Sequence, residues 1–232
     1  MSSTLRARAF ATTTLALALV AVVPLEARAQ ELIRSLAFSI KAGPVFSRFS
    51  VDNDEGFGYA SRVGPAAGIS VRLPLGPVSL QPELFHFSKG SVVRRAVGFD
   101  NRIVETSIEI RYVEVPLLIQ IPITSAGAVT PYVLTGVAFA FETGCVSSSE
   151  INGQDMGQDC GFSMVEHVRD RKCFDYSGVF GAGLRIAAGP GAIPLEGRYT
   201  YGLRDVDDAI DGSTTRNRSA AVLAGYSFGT GR

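Results

Sequence analysis

Apolar and polar residues alternate along several stretches of this chain, and glycine, proline or small polar residues bound each stretch. The alternation is clearest near the C-terminus, in two interleaved sets: Ala220, Val222, Ala224, Tyr226 and Phe228, and Ser219, Ala221, Leu223, Gly225 and Ser227. A period of two places successive side chains on opposite faces of a β-strand. We therefore predict eight strands, which cover about 36–48, 62–74, 78–89, 104–122, 131–142, 175–187, 193–203 and 217–228.

The connections between these predicted strands alternate in length. Three are short, around 75–77, 123–130 and 189–191, and four are long and polar, at 49–61, 90–103, 143–174 and 204–216. An up-and-down barrel of the outer-membrane type has short periplasmic turns and longer external loops. Eight strands with both chain ends in the periplasm require long and short connections in strict alternation, beginning with a long one, and the chain follows that order. The predicted fold is all-β, an eight-stranded antiparallel up-and-down transmembrane β-barrel.

In such a barrel, one face of each strand meets lipid and the other lines the lumen. For the last strand we expect the set that begins with Ala220 to face lipid, with Tyr226 and Phe228 at an interface, where aromatic rings collect. The opposite faces carry charges of both signs, which we assign to a lumen network: Lys41, Glu83, Glu109, Arg111, Arg185, Glu196 and Arg198. Because an eight-stranded barrel is only wide enough for its own side chains, these charges have to be paired. The network then serves as a structural plug, and the alternative is an ion or proton path.

Two features do not fit a simple alternation. In the fourth predicted strand the apolar residues change parity after Tyr112, so we predict a β-bulge near 114–116 that switches the phase. Proline cannot donate a hydrogen bond to the strand ladder. We therefore expect Pro82, Pro116 and Pro131 at bulges or strand ends.

The first 29 residues have the pattern of a secretory signal peptide. Arg6 and Arg8 precede an almost wholly apolar stretch, and the Ala-Arg-Ala tripeptide at 27–29 fits the small-x-small rule for cleavage. A transmembrane anchor would need about 20 apolar residues, which is more than this stretch offers. We expect residues 1–29 to be removed and residues 30–232 to form a single barrel domain.

Composition and cysteine content add two constraints. The chain has 22 basic and 22 acidic residues, and without the signal peptide its formal charge is −2. That balance gives no reason to expect nucleic acid as a partner. Three cysteines, Cys145, Cys160 and Cys173, lie within the predicted loop 143–174. In an oxidising compartment two of them can form a disulfide, but the sequence does not determine which two.

The sequence indicates no catalytic residue, cofactor or metal site. His86 lies on a predicted strand and His167 in a predicted loop, and although Ser88 and Ser163 lie nearby, neither histidine is part of a nucleophile motif. Acidic residues cluster in two predicted loops: Asp52, Asp54 and Glu55, and Asp205, Asp207, Asp208 and Asp211. Both clusters lack the calcium-loop pattern. We expect them to be solvated loop tips or to bind ions that bridge surface lipopolysaccharide.

Several segments resemble the PorT-like outer-membrane β-barrel family. They are QPELFHFSKG (81–90), RYVEVPLLIQ (111–120), PYVLTGVAFAF (131–141), GVFGAGLRI (178–186), LEGRYTYGLRDV (195–206) and AAVLAGYSF (220–228). The resemblance implies an eight-stranded barrel in the outer membrane of a didermic bacterium. The founding member of that family is linked to protein secretion, whereas most relatives have no assigned task. This chain departs from the family pattern in its cysteine-bearing segment 143–174 and in ending four residues beyond Phe228.

These observations predict a non-enzymatic outer-membrane protein with a structural or interaction role. We expect it to be a monomer that contacts outer-membrane lipid and lipopolysaccharide, with a possible protein partner at loop 143–174. Three alternatives are a secretion or transport accessory, a lipid-modifying barrel enzyme and a soluble extracellular β-protein.

Overall fold

The computed structural model describes residues 35–51, 58–97, 102–123, 127–151, 154–159, 174–203 and 215–229. Within these ranges the chain forms nine strands: β1 (Ala37–Val51), β2 (Gly58–Leu75), β3 (Val78–Val97), β4 (Arg102–Pro122), β5 (Val129–Ile151), β6 (Gln154–Asp159), β7 (Phe174–Ala188), β8 (Gly191–Gly202) and β9 (Thr215–Phe228). A search of the same residues for a helix long and apolar enough to span a membrane finds none. The predicted signal peptide lies outside the described residues.

Eight of the strands close into a barrel. Each strand from β1 to β5 pairs antiparallel with the next, β5 pairs with β7, and the ring continues through β8 to β9. The ring closes where β9 pairs with β1, with Phe38 opposite Phe228 and Arg48 opposite Arg218. The short strand β6 pairs with β5 beyond the ring. The predicted eight-stranded antiparallel barrel is confirmed.

The barrel has two distinct ends. At one end, which we call the turn end, Gly76 and Pro77 connect β2 to β3, and Gly189 and Pro190 connect β7 to β8. Both glycines adopt the left-handed conformation that tight turns require, with φ of 72° at Gly76 and 58° at Gly189. We call the opposite end, where β1 stops and β9 starts, the loop end.

The strands extend further toward the loop end than the sequence predicted. The pairing of β3 with β4 continues to Val97 and Arg102, so most of the predicted loop 90–103 is strand. Likewise β5 runs on to Ile151 and folds back through β6, within the predicted loop 143–174. These extensions were missed because polar residues within them were taken as loop composition. The result is that β3, β4 and β5 have 20, 21 and 23 residues, about twice the 9–11 that a membrane crossing needs.

The outer face of the barrel carries an apolar belt. On β1 it runs over the alternate residues from Phe38 to Phe46, and on β9 over those from Ala220 to Phe228. Each run covers nine residues of strand, which matches the length of one tilted membrane crossing. In the last strand, Leu223 on the opposite set is fully buried while Val222 is 58% exposed, so the predicted division into two faces is confirmed.

The predicted bulge in the fourth strand is wrong. Strand β4 keeps one register with β3 along its whole length, and the shift occurs instead against β5, between Arg111 and Tyr112. Ile108, Ile110 and Tyr112 are buried in the lumen with the same parity as Leu118. The side-chain parity therefore never changes. What changes is the polarity of the lumen, which is apolar near the loop end.

Two of the three prolines also differ from expectation. Pro82 and Pro116 lie inside β3 and β4, not at bulges or strand ends. Pro82 is paired with Leu117 but with no residue of β2, and Pro116 is paired with Ala138 but with no residue of β3. Each proline thus interrupts the ladder on one side only, as a residue without an N–H can, while the other side and the register are kept. Pro131 lies near the start of β5, as predicted.

Candidate functional site

Four charged side chains from three strands meet in the lumen. Lys41 lies on β1, Glu83 on β3, and Glu196 and Arg198 on β8. All four are buried, with at most 6% of each residue exposed. Each points into the lumen, because the neighbouring residues on its strand point outward into the belt. We call these four residues the lumen cluster.

Lys41 joins the two carboxylates of the lumen cluster. Its Nζ donates to Glu83 Oε1 at 2.7 Å and to Glu196 Oε1 at 3.0 Å. These residues lie on β1, β3 and β8, no two of which are neighbours in the ring, and β3 and β8 lie on opposite sides of it. The ammonium group therefore links opposite parts of the barrel wall through the lumen.

Arg198 makes the matching contacts from the other side. Its Nη1 donates to Glu83 Oε2 at 2.5 Å, its Nη2 to Glu83 Oε1 at 2.8 Å, and its Nε to Glu196 Oε2 at 2.9 Å. The planar guanidinium thus holds Glu83 by two parallel hydrogen bonds, which is the strong bidentate geometry. Two cations and two anions leave the cluster neutral.

Uncharged side chains complete the hydrogen bonding of the cluster. Tyr132 on β5 donates its hydroxyl to Glu196 Oε1 at 2.8 Å, and Gln81 on β3 donates to Glu83 Oε1 at 2.9 Å. Tyr132 fits because Gly183 on β7 has no side chain: a Cβ there would lie 2.6 Å from the tyrosine ring. The glycine on the inward face therefore makes room for the residue that orients Glu196.

A second buried ion pair lies further toward the loop end. Lys89 on β3 forms a salt bridge with Glu114 on β4, and both side chains are at most 4% exposed. The Lys89 ammonium also lies 4.7 Å from the centre of the Phe87 ring. Sequence reasoning missed this pair because Lys89 was placed at a strand end and Glu114 in the presumed bulge. The inward parity of Phe85 and Phe87 is the signal that could have found Lys89.

Arg185 lies in the lumen near the turn end but does not join the lumen cluster. It donates to the Gln120 side chain on β4, and its guanidinium carbon lies 5.4 Å from the centre of the Tyr132 ring. Arg72, a buried residue that was not predicted, lines the same small cavity as Arg185. That cavity has room for about one water-sized particle.

Glu109 and Arg111 are not in the lumen, which corrects their assignment. They lie on the opposite face of β4 from the buried Ile110, and the Arg111 side chain is 51% exposed. Glu109 forms salt bridges with Arg62 of β2 and with Arg111. The error follows from the predicted bulge: without a change of parity, residues that flank inward isoleucines must point outward.

The remaining candidates are partly described. Cys145 on β5 is disulfide-bonded, while Cys160, Cys173, His167, Ser163 and both acidic clusters lie outside the described residues. His86 is exposed on the outer face of β3, and Ser88 accepts a hydrogen bond from Arg62 at 3.1 Å. In the described part of the chain no three His, Cys, Asp or Glu residues come together as a metal site would require.

Comparison with known proteins gives one family match and several distant structural likenesses. A family model described as outer membrane protein beta-barrel domain matches residues 27–208. No curated protein matches the chain by sequence.

Three solved structures illustrate the structural likenesses. Neisserial surface protein A is 13% identical, with a TM-score of 0.44 over 84% of this chain and 99% of its own. Ail, the attachment invasion locus protein of Yersinia pestis, in complex with the heparin analogue sucrose octasulfate, is 15% identical, with a TM-score of 0.40 over 83% and 99%. The outer membrane protease OmpT from Escherichia coli is 8% identical, with a TM-score of 0.43 over 83% and 96%. Such low similarities carry no information about activity.

Proposed function

Because this chain belongs to the outer membrane protein beta-barrel domain family, we propose that it is a non-enzymatic interaction protein of the outer membrane. Its barrel anchors it in lipid, and its loop end presents a surface to a partner. Short turns face the periplasm in barrels of this kind, so the loop end would face outward. The observation that carries the proposal is the occupied lumen.

The lumen cluster argues against transport through the barrel. Lys41 and Arg198 each contact both Glu83 and Glu196, and an ion that passed would have to break these buried salt bridges. Removing one partner from such an arrangement costs several kcal/mol. The lumen is therefore better suited to stiffening the barrel than to conducting ions.

The loop end supports an interaction role. Strands β3, β4 and β5 run well beyond the length of a membrane crossing, and β6 adds a further strand to β5. Cys145, on the extended part of β5, is disulfide-bonded. A paired sheet that projects past the lipid is a suitable base for partner binding through 143–174.

Among the described residues, His86 forms no hydrogen bond to a serine or carboxylate that would support lipid hydrolysis. His86 lies on the outer face, where its strand neighbours Leu84 and Ser88 flank it, and the Ser88 hydroxyl is engaged by Arg62. A nucleophile, a base and an orienting carboxylate would have to come together for such chemistry. The PorT-like segments are consistent with an interaction role, and we do not extend the secretion role of that family to this chain.

Epitope mapping on intact cells tests the orientation. An epitope inserted between β5 and β6 should bind antibody without permeabilisation. The matched control is the same epitope between Gly76 and Pro77, which should bind only after the outer membrane is opened. The reverse pattern would contradict an outward loop end.

Two measurements on purified protein test the other parts of the proposal. In planar bilayers the barrel should give no stable conductance steps. Such steps in the unmodified protein would contradict the proposal that the lumen cluster closes the barrel to ions. Incubated lipopolysaccharide should keep all its acyl chains by mass spectrometry. Acyl loss that requires His86, shown with His86→Ala, would identify an enzyme instead.

A further inference from the structure

We propose that Arg48, Arg216 and Arg218 bind the phosphate group of an outer-leaflet glycolipid of the lipopolysaccharide type. We call these three residues the arginine patch. The choice of leaflet rests on the proposed outward loop end. The binding chemistry rests on the outer face of β1, β8 and β9 alone.

The position of the arginine patch follows from the apolar belt. On β1 the belt ends at Phe46, and the next outward residue is Arg48. On β9 the belt ends at Ala220, and the next outward residue is Arg218. Both strands thus change from hydrocarbon-facing side chains to arginine in one step, where the phosphates of a bilayer lipid lie.

The pairing of β1 with β9 places two of these cations directly opposite each other. Arg48 and Arg218 are direct cross-strand partners, and Arg216 is the next outward residue of β9. Like charges directly opposite in a sheet destabilise the pair. An anion between them would turn that repulsion into attraction.

Protein carboxylates do not supply this anion in the described residues. Two other outward arginines near the loop end each have one: Arg111 contacts Glu109, and Arg94 contacts Glu105. By contrast, no salt bridge to Arg48, Arg216 or Arg218 forms with a described carboxylate. Among the described residues, the arginine patch is therefore a positive site without a carboxylate partner, unlike Arg94 and Arg111.

Tyr201 of β8 holds two of the guanidinium groups in place. Arg216 Nη1 donates to the Tyr201 hydroxyl at 3.0 Å, and the ring centre lies 6.0 Å from the Arg216 guanidinium carbon and 5.2 Å from that of Arg218. The Nε atoms of both arginines are buried and have no hydrogen-bond partner in the described structure. A ligand would therefore have to bind through the terminal guanidinium nitrogens.

A phosphorylated amphiphile satisfies both parts of this surface. Guanidinium groups bind phosphate through parallel charge-assisted hydrogen bonds. Phe46 and the other belt residues below the patch provide the contact for acyl chains. Inorganic phosphate would meet only the first requirement, so the lipid should bind and the free ion should not.

The test uses the folded barrel in detergent micelles with purified bisphosphorylated lipid A as the probe. Native mass spectrometry measures the fraction of barrel that retains lipid across a titration. The Arg48→Gln/Arg218→Gln double variant should bind about tenfold more weakly, the equivalent of about 1.4 kcal/mol. The Arg94→Gln/Arg111→Gln double variant is the matched control, because it also removes two positive charges, but from arginines that already have carboxylate partners.

Two further probes distinguish the sources of binding. Lipid A without its phosphates should bind the unmodified barrel as weakly as intact lipid A binds the double variant. Inorganic phosphate should not compete at concentrations equal to those of the lipid. Equal binding of intact lipid A by the unmodified barrel and the double variant, with heat-modifiable migration showing that both are folded, would overturn the inference.

The micelle assay reports binding and not orientation. If lipid A binding does not depend on the arginines, the inference about the arginine patch is therefore wrong, whichever orientation the epitope mapping gives. If the epitope mapping places the loop end in the periplasm, the proposed function is wrong, whatever the micelle assay gives.

Discussion

Two groups of charged residues in this barrel differ in how their charges are neutralised. In the lumen, Lys41 and Arg198 share Glu83 and Glu196 in a neutral, buried cluster. At the loop-side edge of the apolar belt, Arg48 lies opposite Arg218, and neither forms a salt bridge with a described carboxylate. Both regions contain arginine, yet among the described residues only the lumen cluster pairs its arginine with carboxylates of the chain.

The difference reflects what surrounds each region. The lumen cluster has neither water nor lipid headgroups to neutralise its charges, so residues of the chain itself supply the opposite charges there. At the edge of the belt, water, ions and lipid phosphates are available, and an unpaired arginine there costs little. The comparison therefore predicts large effects for lumen charges and small effects for exposed ones.

The largest effect is expected for Glu196→Gln. The change removes the charge that Lys41 and Arg198 both contact and leaves an excess cation in the lumen. Breaking a buried ion pair from one side costs about 3–5 kcal/mol. Urea unfolding of the barrel in lipid vesicles, followed by heat-modifiable gel migration, measures the free energy of unfolding.

A second variant shows whether this cost comes from charge imbalance. The matched change Tyr132→Phe removes the 2.8 Å hydrogen bond to Glu196 and leaves every charge in place, so its cost should be clearly the smaller of the two. Equal costs would mean that the cluster acts as ordinary polar packing, and the contrast between lumen and edge would fail.

An intermediate effect is expected where a charge has neither a partner nor water. Ala224 lies in the middle of the outer belt on β9, whereas Ala220 lies at its loop-side end. On the lipid face, arginine costs about 2–4 kcal/mol at the bilayer midplane and about 0–1 near an interface. Ala224→Arg should therefore destabilise the barrel in vesicles by clearly more than Ala220→Arg does. Equal costs would place the two positions at the same depth in the bilayer and would contradict a belt whose loop-side end is at Ala220.

The last strand shows how much of this arrangement the sequence could predict. From Ala220 to Phe228 the outward residues are apolar or aromatic and the inward ones are mostly small or polar, so alternation alone assigns both faces. The lumen positions of Lys41, Glu83, Glu196 and Arg198 follow from the same period. Their contacts with one another do not, because they depend on how strands far apart in sequence are placed around the ring.

Strand β4 shows where sequence reasoning stops. A period of two indicates that Ile110 and Arg111 point to opposite faces but not which face is inside. Beyond the belt the usual assignment reverses: Ile110 fills an apolar lumen with Phe49 and Val93, and Arg111 faces outward. The length of the strand past the membrane is the missing information, since it decides whether the outer face meets lipid or water.

The smallest effect is expected for Glu105→Gln, which removes the carboxylate from the exposed pair with Arg94. Both side chains are more than half exposed, and an ion pair of this kind contributes about 0.2–1 kcal/mol, less as salt rises. Unfolding in urea at low and high sodium chloride should give a small loss that disappears at high salt, whereas the loss in Glu196→Gln should persist because no ions reach the lumen cluster. If the loss in Glu196→Gln faded with salt as well, ions would have access to the cluster, and the distinction between a closed lumen and an open edge would no longer hold.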